Sequence, residues 1–284
     1  MENRITYFAA ILLLIGLLPV SCLKDADIPG MVIHDDQVNM RFDHSMEWNK
    51  NNTPREIMLL RDDYTILCMS DSHVGGTENL TVFLDSAMIK GVAAIVMAGD
   101  LSTGHKEDVQ RFKQHMPGQE ILPSFPIAGN HDLYFGGWEH FYSIFGSSTY
   151  YFTVNTFEAA DLFICLDTGG GTLGNKQLDW FRDVLVSIRP GYRNCIVITH
   201  NNLFRFRRTT STNPLPEELH VWLDLFLRHR VNMVITGHDH KKDEQVFGNT
   251  THIIMDALKD GEKNAGYFQL HVKNGKLQYS FVTI

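Results

Sequence analysis

Residues 65–73 have the sequence TILCMSDSH, and the fold class can be inferred by starting from this stretch. An apolar run of strand length, Thr65–Met69, is followed at once by two polar side chains, Asp71 and His73. In open α/β sheets the loops at the carboxyl ends of the strands carry the functional side chains. The stretch therefore predicts a strand of an α/β sheet that ends at a polar site.

The same pattern recurs four more times along the chain. The later motifs are Gly99-Asp100, Gly129-Asn-His-Asp132, Thr199-His200 and Gly237-His-Asp-His240. Each follows an apolar run (AAIVMA, FPIA, CIVI and NMVIT). Any one of these motifs is a weak signal, because a polar turn after a strand is common. All five together, each at a strand end, predict that the loops converge on one crevice.

The remaining pattern defines the fold class. From Tyr64 onward, apolar runs of strand length alternate with helical stretches, and the last strands follow one another with short turns. That order predicts an α/β fold of two packed mixed β-sheets flanked by helices, an α/β/β/α sandwich. We expect one domain over residues 63–284, preceded by a tether and an irregular lead-in over residues 22–62.

The series D-x-H, G-D, G-N-H-D, H and G-H-x-H, from Asp71 to His240, resembles the signature of the calcineurin-like metallophosphoesterase superfamily. The resemblance implies hydrolysis of a phosphate ester by in-line attack of a hydroxide that two metal ions share. It implies one metal site from Asp71, His73 and His240, a second from Asn130, His200 and His238, and Asp100 as the bridge. Mixed carboxylate and imidazole ligands favour Mn, Fe, Zn or Ni as the two divalent ions.

His131 and Asp132 follow Asn130 directly, and the resemblance does not make His131 a ligand. We expect His131 to face the leaving group and to donate a proton or stabilise negative charge there. Asp132 would then hold the imidazole in orientation. The alternative is a histidine that only fixes the loop.

Two further groups are candidates for substrate contact. Tyr134, Phe135 and Trp138 offer aromatic faces for a base or sugar, with burial in the core as the alternative. Guanidinium groups bind phosphate in a bidentate manner. The alternative is that such groups belong to a solvated surface loop and contact no substrate. Three of them follow His200 in one loop: Arg205, Arg207 and Arg208.

The N-terminal sequence has the features of an export signal. The apolar run Tyr7–Val20 is shorter than the roughly 20 residues that a membrane-spanning helix needs, which favours a signal peptide over residues 1–21. Ser21-Cys22 resembles the cleavage box of a bacterial lipoprotein, so we expect Cys22 to be lipidated. The protein would then be periplasmic or on the cell surface, anchored to a membrane by lipid. An ordinary secretory signal cut nearby is the alternative.

The amino-acid composition limits the kinds of partner that the protein can bind. With 33 acidic against 25 basic residues and a formal charge of -8, bulk binding to nucleic acid is disfavoured. Cys68, Cys165 and Cys195 lie in apolar runs and should be buried and free. The expected partner is a small-molecule phosphate ester. A pyrophosphatase, a phospholipid-type hydrolase and a non-catalytic surface binding protein on the same scaffold stay open, as do the natural substrate and the oligomeric state.

Overall fold

The structure is a computed structural model, and it describes residues 38–52, 55–204 and 216–284. Some sequence predictions concern residues outside these ranges. They are the signal peptide (residues 1–21), the first part of the tether, Cys22, Arg205, Arg207 and Arg208.

The described residues form six α-helices and twelve β-strands, and the last five strands follow one another without a helix between them. The α-helices are α1 (Val38–Asn51), α2 (Glu78–Lys90), α3 (Lys106–His115), α4 (Gly137–Phe145), α5 (Gly174–Ser187) and α6 (Pro216–Arg228). Short 3₁₀ helices span His131–Gly136 and Arg189–Gly191. The strands are β1 (Glu56–Met58), β2 (Tyr64–Met69), β3 (Ala94–Ala98), β4 (Ser124–Ile127), β5 (Tyr150–Asn155), β6 (Ala160–Cys165), β7 (Cys195–Ile198), β8 (Met233–Thr236), β9 (Asp243–Phe247), β10 (Thr250–Ile254), β11 (Gly266–Lys273) and β12 (Lys276–Thr283).

The strands form two mixed sheets. A 7-stranded sheet has the order β1-β5-β6-β7-β8-β10-β9, and a 5-stranded sheet has the order β12-β11-β2-β3-β4. Within the smaller sheet β2, β3 and β4 are parallel, and within the larger sheet β6, β7 and β8 are parallel. The carboxyl ends of each parallel set therefore meet at one edge of its sheet, where the loops are gathered.

Alternation along the strands explains the layers. In β2 the side chains of Ile66 and Cys68 lie in the core between the two sheets, whereas Leu67 and Met69 pack under the helices of the smaller sheet. The larger sheet packs in the same way against α5 and α6 through residues such as Phe181. Successive side chains of a strand point to opposite faces, so a continuous apolar run is buried on both. The predicted α/β/β/α sandwich is confirmed.

One segment departs from the prediction. The lead-in was expected to be irregular, yet residues 38–51 form α1 and Glu56–Met58 form β1, which pairs in parallel with β5. Helix α1 is attached by a buried ion pair, since Arg41 Nε donates to Asp167 Oδ2 at 2.7 Å. The two residues that this helix buries fully, Arg41 and Ser45, are polar, so hydrophobic periodicity does not indicate its buried face. Strand β9 was also missed, and four of its five residues are exposed.

Two smaller expectations can also be checked. Cys68, Cys165 and Cys195 are buried and free, as predicted. Among the described residues no helix has the length and apolar character needed to span a membrane.

Candidate metal centre

The five sequence motifs meet where the two sheets face each other at their carboxyl ends. The loop after β2 is tied to the loop after β3, because the Asp71 amide donates to the Gly99 carbonyl at 3.0 Å. The loops after β7 and β8 are joined by the Gly237 amide, which donates to the His200 carbonyl at 3.0 Å. A bond between the sheets completes the arrangement, since the His238 amide donates to Asp71 Oδ2 at 2.9 Å.

The first predicted ligand group is assembled. The ligand atoms of Asp71, His73 and His240 all lie within 4.8 Å of one another. Asp71 Oδ1 is 3.2 Å from His240 Nε2, and the two histidine Nε2 atoms are 3.1 Å apart. Two nitrogens and one carboxylate oxygen that point at the same place are a donor set for a transition metal ion.

The second group is assembled on the other side of Asp100. The ligand atoms of Asp100, His200 and His238 lie within 4.8 Å of one another. His238 Nδ1 is 3.1 Å from His200 Nε2, and Asn130 Oδ1 is 3.2 Å from the same nitrogen.

Asp100 lies between the two groups. Its Oδ2 is 3.7 Å from His73 Nε2 and 3.3 Å from His200 Nε2. Its other oxygen, Oδ1, accepts a hydrogen bond from the His131 amide at 2.7 Å. One carboxylate oxygen is thus directed at both histidine clusters, as a bridging ligand requires.

Backbone strain is concentrated at these loops. Eight non-glycine residues of the described chain have positive φ, and five of them belong to the predicted ligand set. Those five are Asp71, His73, Asp100, His238 and His240. Left-handed conformations at such residues cost about 1–3 kcal/mol each and persist where the surrounding structure or function requires them.

Two glycines allow the loops to approach each other. Gly99 has φ +87°, a conformation that residues with a side chain rarely adopt. At Gly129 the constraint is space, because an added Cβ would lie 2.2 Å from Asp100 Oδ1. The Asp100 carboxylate and the Asn130 loop can therefore pack together only with glycine at this position.

The electrostatics of the centre favour a bound cation. Burial tends to raise the pKa of Asp71, but the imidazole of His240 and the charge of His200 lower it to about 2. Burial tends to lower the pKa of His200, but the charge and hydrogen bond of Asp100, with the charge of Asp71, raise it to about 9. Both buried carboxylates thus demand nearby positive charge. No donor in the described structure is aligned to hydrogen-bond to the buried Asp71 Oδ1, which fits an atom reserved for a metal ion.

His131 faces the centre from one side. Its ligand atom lies within 4.8 Å of those of His73 and Asp100, and its ring centroid is 4.3 Å from that of His73. The side chain is half-buried, so it is accessible to a bound ester. The structure brings it to the edge of the cluster, and its part in proton transfer stays a prediction.

Asp132 does not orient His131, and that prediction is wrong. Its Oδ2 accepts from the amides of Leu101 and Gly129 at 3.1 and 2.9 Å. Its Oδ1 accepts from the amide and the hydroxyl of Ser102, both at 2.8 Å. The four donors use the acceptor capacity of the carboxylate, which clamps the loop after β3 to the loop after β4. Burial and the charge of Asp100 raise the pKa of Asp132 to about 6, although these hydrogen bonds oppose the shift.

The aromatic candidates separate in the structure. Trp138 is buried in the core, which was the alternative to substrate contact. Phe135 is 45% exposed and stacks on His105, with ring centroids 4.0 Å apart. Tyr134 has a contact that sequence reasoning missed, because its hydroxyl oxygen accepts from Asn130 Nδ2 at 3.0 Å. The spacing of the two residues gave no signal for this contact, because the turn between them is a 3₁₀ helix that is interrupted at Tyr134.

Comparison with known structures supports this fold. GAP50, the anchor in the inner membrane complex of Plasmodium, superposes with a TM-score of 0.61 at 13% identity, over 78% of this chain and 85% of that one. A dimetal phosphatase from Danio rerio gives a TM-score of 0.57 at 12% identity, over 78% of this chain and 98% of that one. At such identities the likeness concerns the fold alone. No curated protein sequence matches this chain.

The sequence profile of one family, described as calcineurin-like phosphoesterase, matches residues 64–242. The matched range contains all five loops of the centre and more than half of the chain. The buried Asp and His side chains that converge there have the donor chemistry for divalent metals. The chain therefore belongs to the calcineurin-like phosphoesterase family and is a metal-dependent phosphoester hydrolase.

Proposed function

We propose that this protein hydrolyses a small-molecule phosphate ester, a monoester or a diester, with two divalent metal ions of the Mn, Fe, Zn or Ni type. The position of Asp100 carries the proposal, because its Oδ2 lies within 4 Å of a histidine nitrogen from each cluster. A single-ion centre would have no need for a buried carboxylate that serves both clusters.

The chain's own residues have distinct tasks in this proposal. Three side chains would hold one ion, three would hold the other, and Asp100 would touch both. The groups are Asp71, His73 and His240, and Asn130, His200 and His238. When bound, the ions supply an activated water as nucleophile and positive charge for the phosphate group. Asn130 contributes a neutral amide oxygen where an aspartate would add negative charge, which favours binding of an anionic ester.

His131 would act on the leaving group. It lies beside His73 and Asp100, and no contact in the described structure commits its ring to another charged partner. General acid catalysis by a positioned histidine contributes typically about 10²–10⁴-fold. The Asp100 carboxylate holds the His131 amide, so the loop that carries the imidazole is fixed relative to the metal position.

The alternatives use the same centre. A pyrophosphate or a phospholipid would offer the same phosphoryl group to the metals, and only the pocket around it would differ. A non-catalytic binding protein on this scaffold is a different class, and one protein of similar fold, GAP50, is described as an anchor. The complete ligand set supports the hydrolase, because a scaffold without turnover has no reason to keep strained ligand loops.

Metal-reconstituted protein tests the proposal directly. Elemental analysis after dialysis against Mn²⁺ or Zn²⁺ should give two ions per chain. The loaded protein should hydrolyse at least one member of a panel of nucleotides, sugar phosphates, phosphodiesters and pyrophosphate. Two bound ions without turnover on any member would favour the non-catalytic alternative, and one bound ion would contradict the bridging role of Asp100.

The general-acid role of His131 has its own test. His131→Ala should keep both ions and slow hydrolysis of alkyl esters by about 10²–10⁴-fold, because an alkoxide leaves poorly without a proton. Nitrophenyl esters should slow much less, since nitrophenolate leaves unprotonated. His115→Ala, an exposed histidine on α3, serves as the control and should change neither rate. Equal losses for both ester types would show that His131 positions the phosphoryl group instead.

Export and substrate capture are further parts of the proposal. The apolar N-terminal run followed by Ser21-Cys22 supports a lipid-anchored protein at the periplasmic or outer surface of a membrane. Detergent partitioning that Cys22→Ala does not abolish would contradict it.

The three arginines that follow His200 in the sequence support recognition of charged esters. If KM for several nucleotides stays the same when Arg205, Arg207 and Arg208 are neutralised together, this role is excluded.

A further inference from the structure

Asn130 differs from the other predicted ligands because its side chain can be placed in two ways. The amide carbonyl oxygen is an acceptor and can bind a cation, whereas the amide nitrogen is a donor and cannot. If the amide were turned end for end, its hydrogens would face the metal position. Something in the structure must therefore select the orientation.

A phenol hydroxyl can accept or donate, and here Tyr134 accepts, so its contact holds the Asn130 amide in the orientation that a cation needs. Asn130 Nδ2 donates to the Tyr134 hydroxyl oxygen at 3.0 Å, which leaves Oδ1 at 3.2 Å from His200 Nε2. His200 Nδ1 lies 2.9 Å from the Ala98 carbonyl oxygen, an acceptor only, so this nitrogen carries a proton. An imidazole that binds a metal ion is neutral, so in the metal-bound protein the lone pair of His200 is on Nε2. The Asn130 oxygen and the His200 lone pair consequently meet at the same point.

The backbone supports this placement of the tyrosine. The 3₁₀ turn that starts at His131 is interrupted at Tyr134, which has φ −66° and ψ 156°, and the next residue, Phe135, has φ +55°. A non-glycine residue in that conformation is strained, and such strain is kept where the surrounding structure needs it. The half-buried Tyr134 ring also lies 4.8 Å from the His131 ring, at the rim of the centre.

We propose that Tyr134 is a positioning residue for the metal centre: its hydroxyl holds the Asn130 amide so that the carbonyl oxygen faces the ion shared with His200 and His238. The inference rests on the proposed function, since it assumes that Asn130 binds an ion. Partners that orient metal ligands in this way typically contribute about 10–100-fold to metal affinity.

A cycle of four proteins tests the inference: wild type, Tyr134→Phe, Asn130→Asp and the double variant. Each is titrated with Mn²⁺ by equilibrium dialysis and elemental analysis, so turnover is not the readout. Tyr134→Phe should weaken one of the two ions by about 10–100-fold and leave the other unchanged. An aspartate offers an oxygen in either orientation, so Tyr134→Phe should have little effect on affinity in the Asn130→Asp background. Comparison within each background cancels the added negative charge.

Tyr64→Phe is the matched control. In the wild type the Tyr64 hydroxyl donates to Asp161 at 2.7 Å at the start of β2, the end of that strand away from Asp71. The variant removes a hydroxyl hydrogen bond that lies outside the metal centre, so the affinities for both ions should stay at the wild-type level. Thermal unfolding in chelator shows whether either phenylalanine variant has lost its fold.

Three outcomes would overturn the inference. Wild-type affinities for both ions in Tyr134→Phe would do so, because the amide would then be oriented without the hydroxyl. Equal losses on Tyr134→Phe with and without Asn130→Asp would assign Tyr134 a structural role instead. A wild-type protein that binds no ion would contradict the proposed function itself, and the inference would fall with it.

Discussion

The buried carboxylates of this protein fall into two groups, and their surroundings differ. At the start of β6, Asp161 is fully buried and accepts from Arg193 Nη2 at 2.6 Å, from Tyr64 at 2.7 Å and from Asn194 Nδ2 at 2.8 Å. Asp167, just beyond the other end of β6, is 2% exposed and pairs with Arg41. In this first group a guanidinium group of the chain itself supplies the positive charge.

Among the described residues, no guanidinium group pairs with the carboxylates of the candidate metal centre. Asp71 and Asp100 are 0% and 1% exposed, and the charged groups of the described chain that face them are imidazoles. An isolated buried charge is energetically costly, so the positive charge that neutralises Asp71 and Asp100 must come from protonated histidines or from a bound cation. The difference separates two kinds of buried carboxylate. Asp161 and Asp167 are neutralised by arginines of the chain and stabilise the fold, whereas Asp71 and Asp100 are available to an exchangeable ion. Variants of the first kind should change the free energy of unfolding, and variants of the second kind should change the metal content.

The largest expected effect is that of Asp100→Ala, because this carboxylate faces both histidine clusters. Both ions should be lost, and hydrolysis with them. The free energy of unfolding in chelator should fall by no more than about 1–3 kcal/mol, because the variant leaves the His131 amide without its acceptor but also removes a buried negative charge. Elemental analysis and urea unfolding of the same preparation measure the two effects.

Asn130→Ala is the matched comparison for Asp100→Ala, since Asn130 contacts one cluster only. It should weaken one ion and retain the other. Two tightly held ions in Asp100→Ala would refute the bridge. A large loss of stability in chelator would show that Asp100 belongs with the structural carboxylates after all.

Arg41→Met should give the next largest effect, and it should appear in stability. The variant leaves the Asp167 carboxylate buried, with the Gly169 amide still donating to it but without a positive partner. Removing one member of a buried pair costs about 3–5 kcal/mol of unfolding free energy. Metal content should be unchanged.

The double variant Arg41→Met with Asp167→Asn sharpens this prediction. It removes the uncompensated charge, so it should recover much of the loss seen in urea unfolding. A single variant as stable as wild type would mean that α1 is not held by this pair.

The ligand loops could be predicted from the sequence, and α1 could not. Each ligand lies directly after an apolar strand, so its place at a sheet edge follows from local pattern and from the rule that parallel strands end together. The residues that helix α1 buries fully, Arg41 and Ser45, are polar, so hydrophobic periodicity does not indicate its buried face. Its attachment depends on Asp167, 126 residues away in the chain, and a sequence pattern does not report such a partner.

Asp132 shows the same limit within the centre. Its place next to His131 suggested a pair, but the direction of a side chain depends on which donors the fold brings near. Here the amides of Leu101 and Ser102, from a different loop, donate hydrogen bonds to the carboxylate. The convergence of the loops could thus be predicted from order and chemistry, and the grouping of the ligands from the family resemblance, whereas the contacts that hold them arise from packing between loops.

Asp132→Asn should give the smallest of these effects, and it decides which kind of buried carboxylate Asp132 is. The asparagine has one carbonyl oxygen, and its amide nitrogen would face at least one backbone donor, such as the Ser102 amide. A buried donor without an acceptor costs about 1–3 kcal/mol, so the unfolding free energy in chelator should fall by that amount. Asp183→Asn, an exposed carboxylate on α5, should change it by less than about 0.5 kcal/mol. If Asp132 clamps the loops, the same loss will appear in the His131→Ala background, because the clamp does not involve the imidazole. If the loss disappears in that background, Asp132 acts through His131, and the hydrogen bonds to Leu101, Ser102 and Gly129 are secondary.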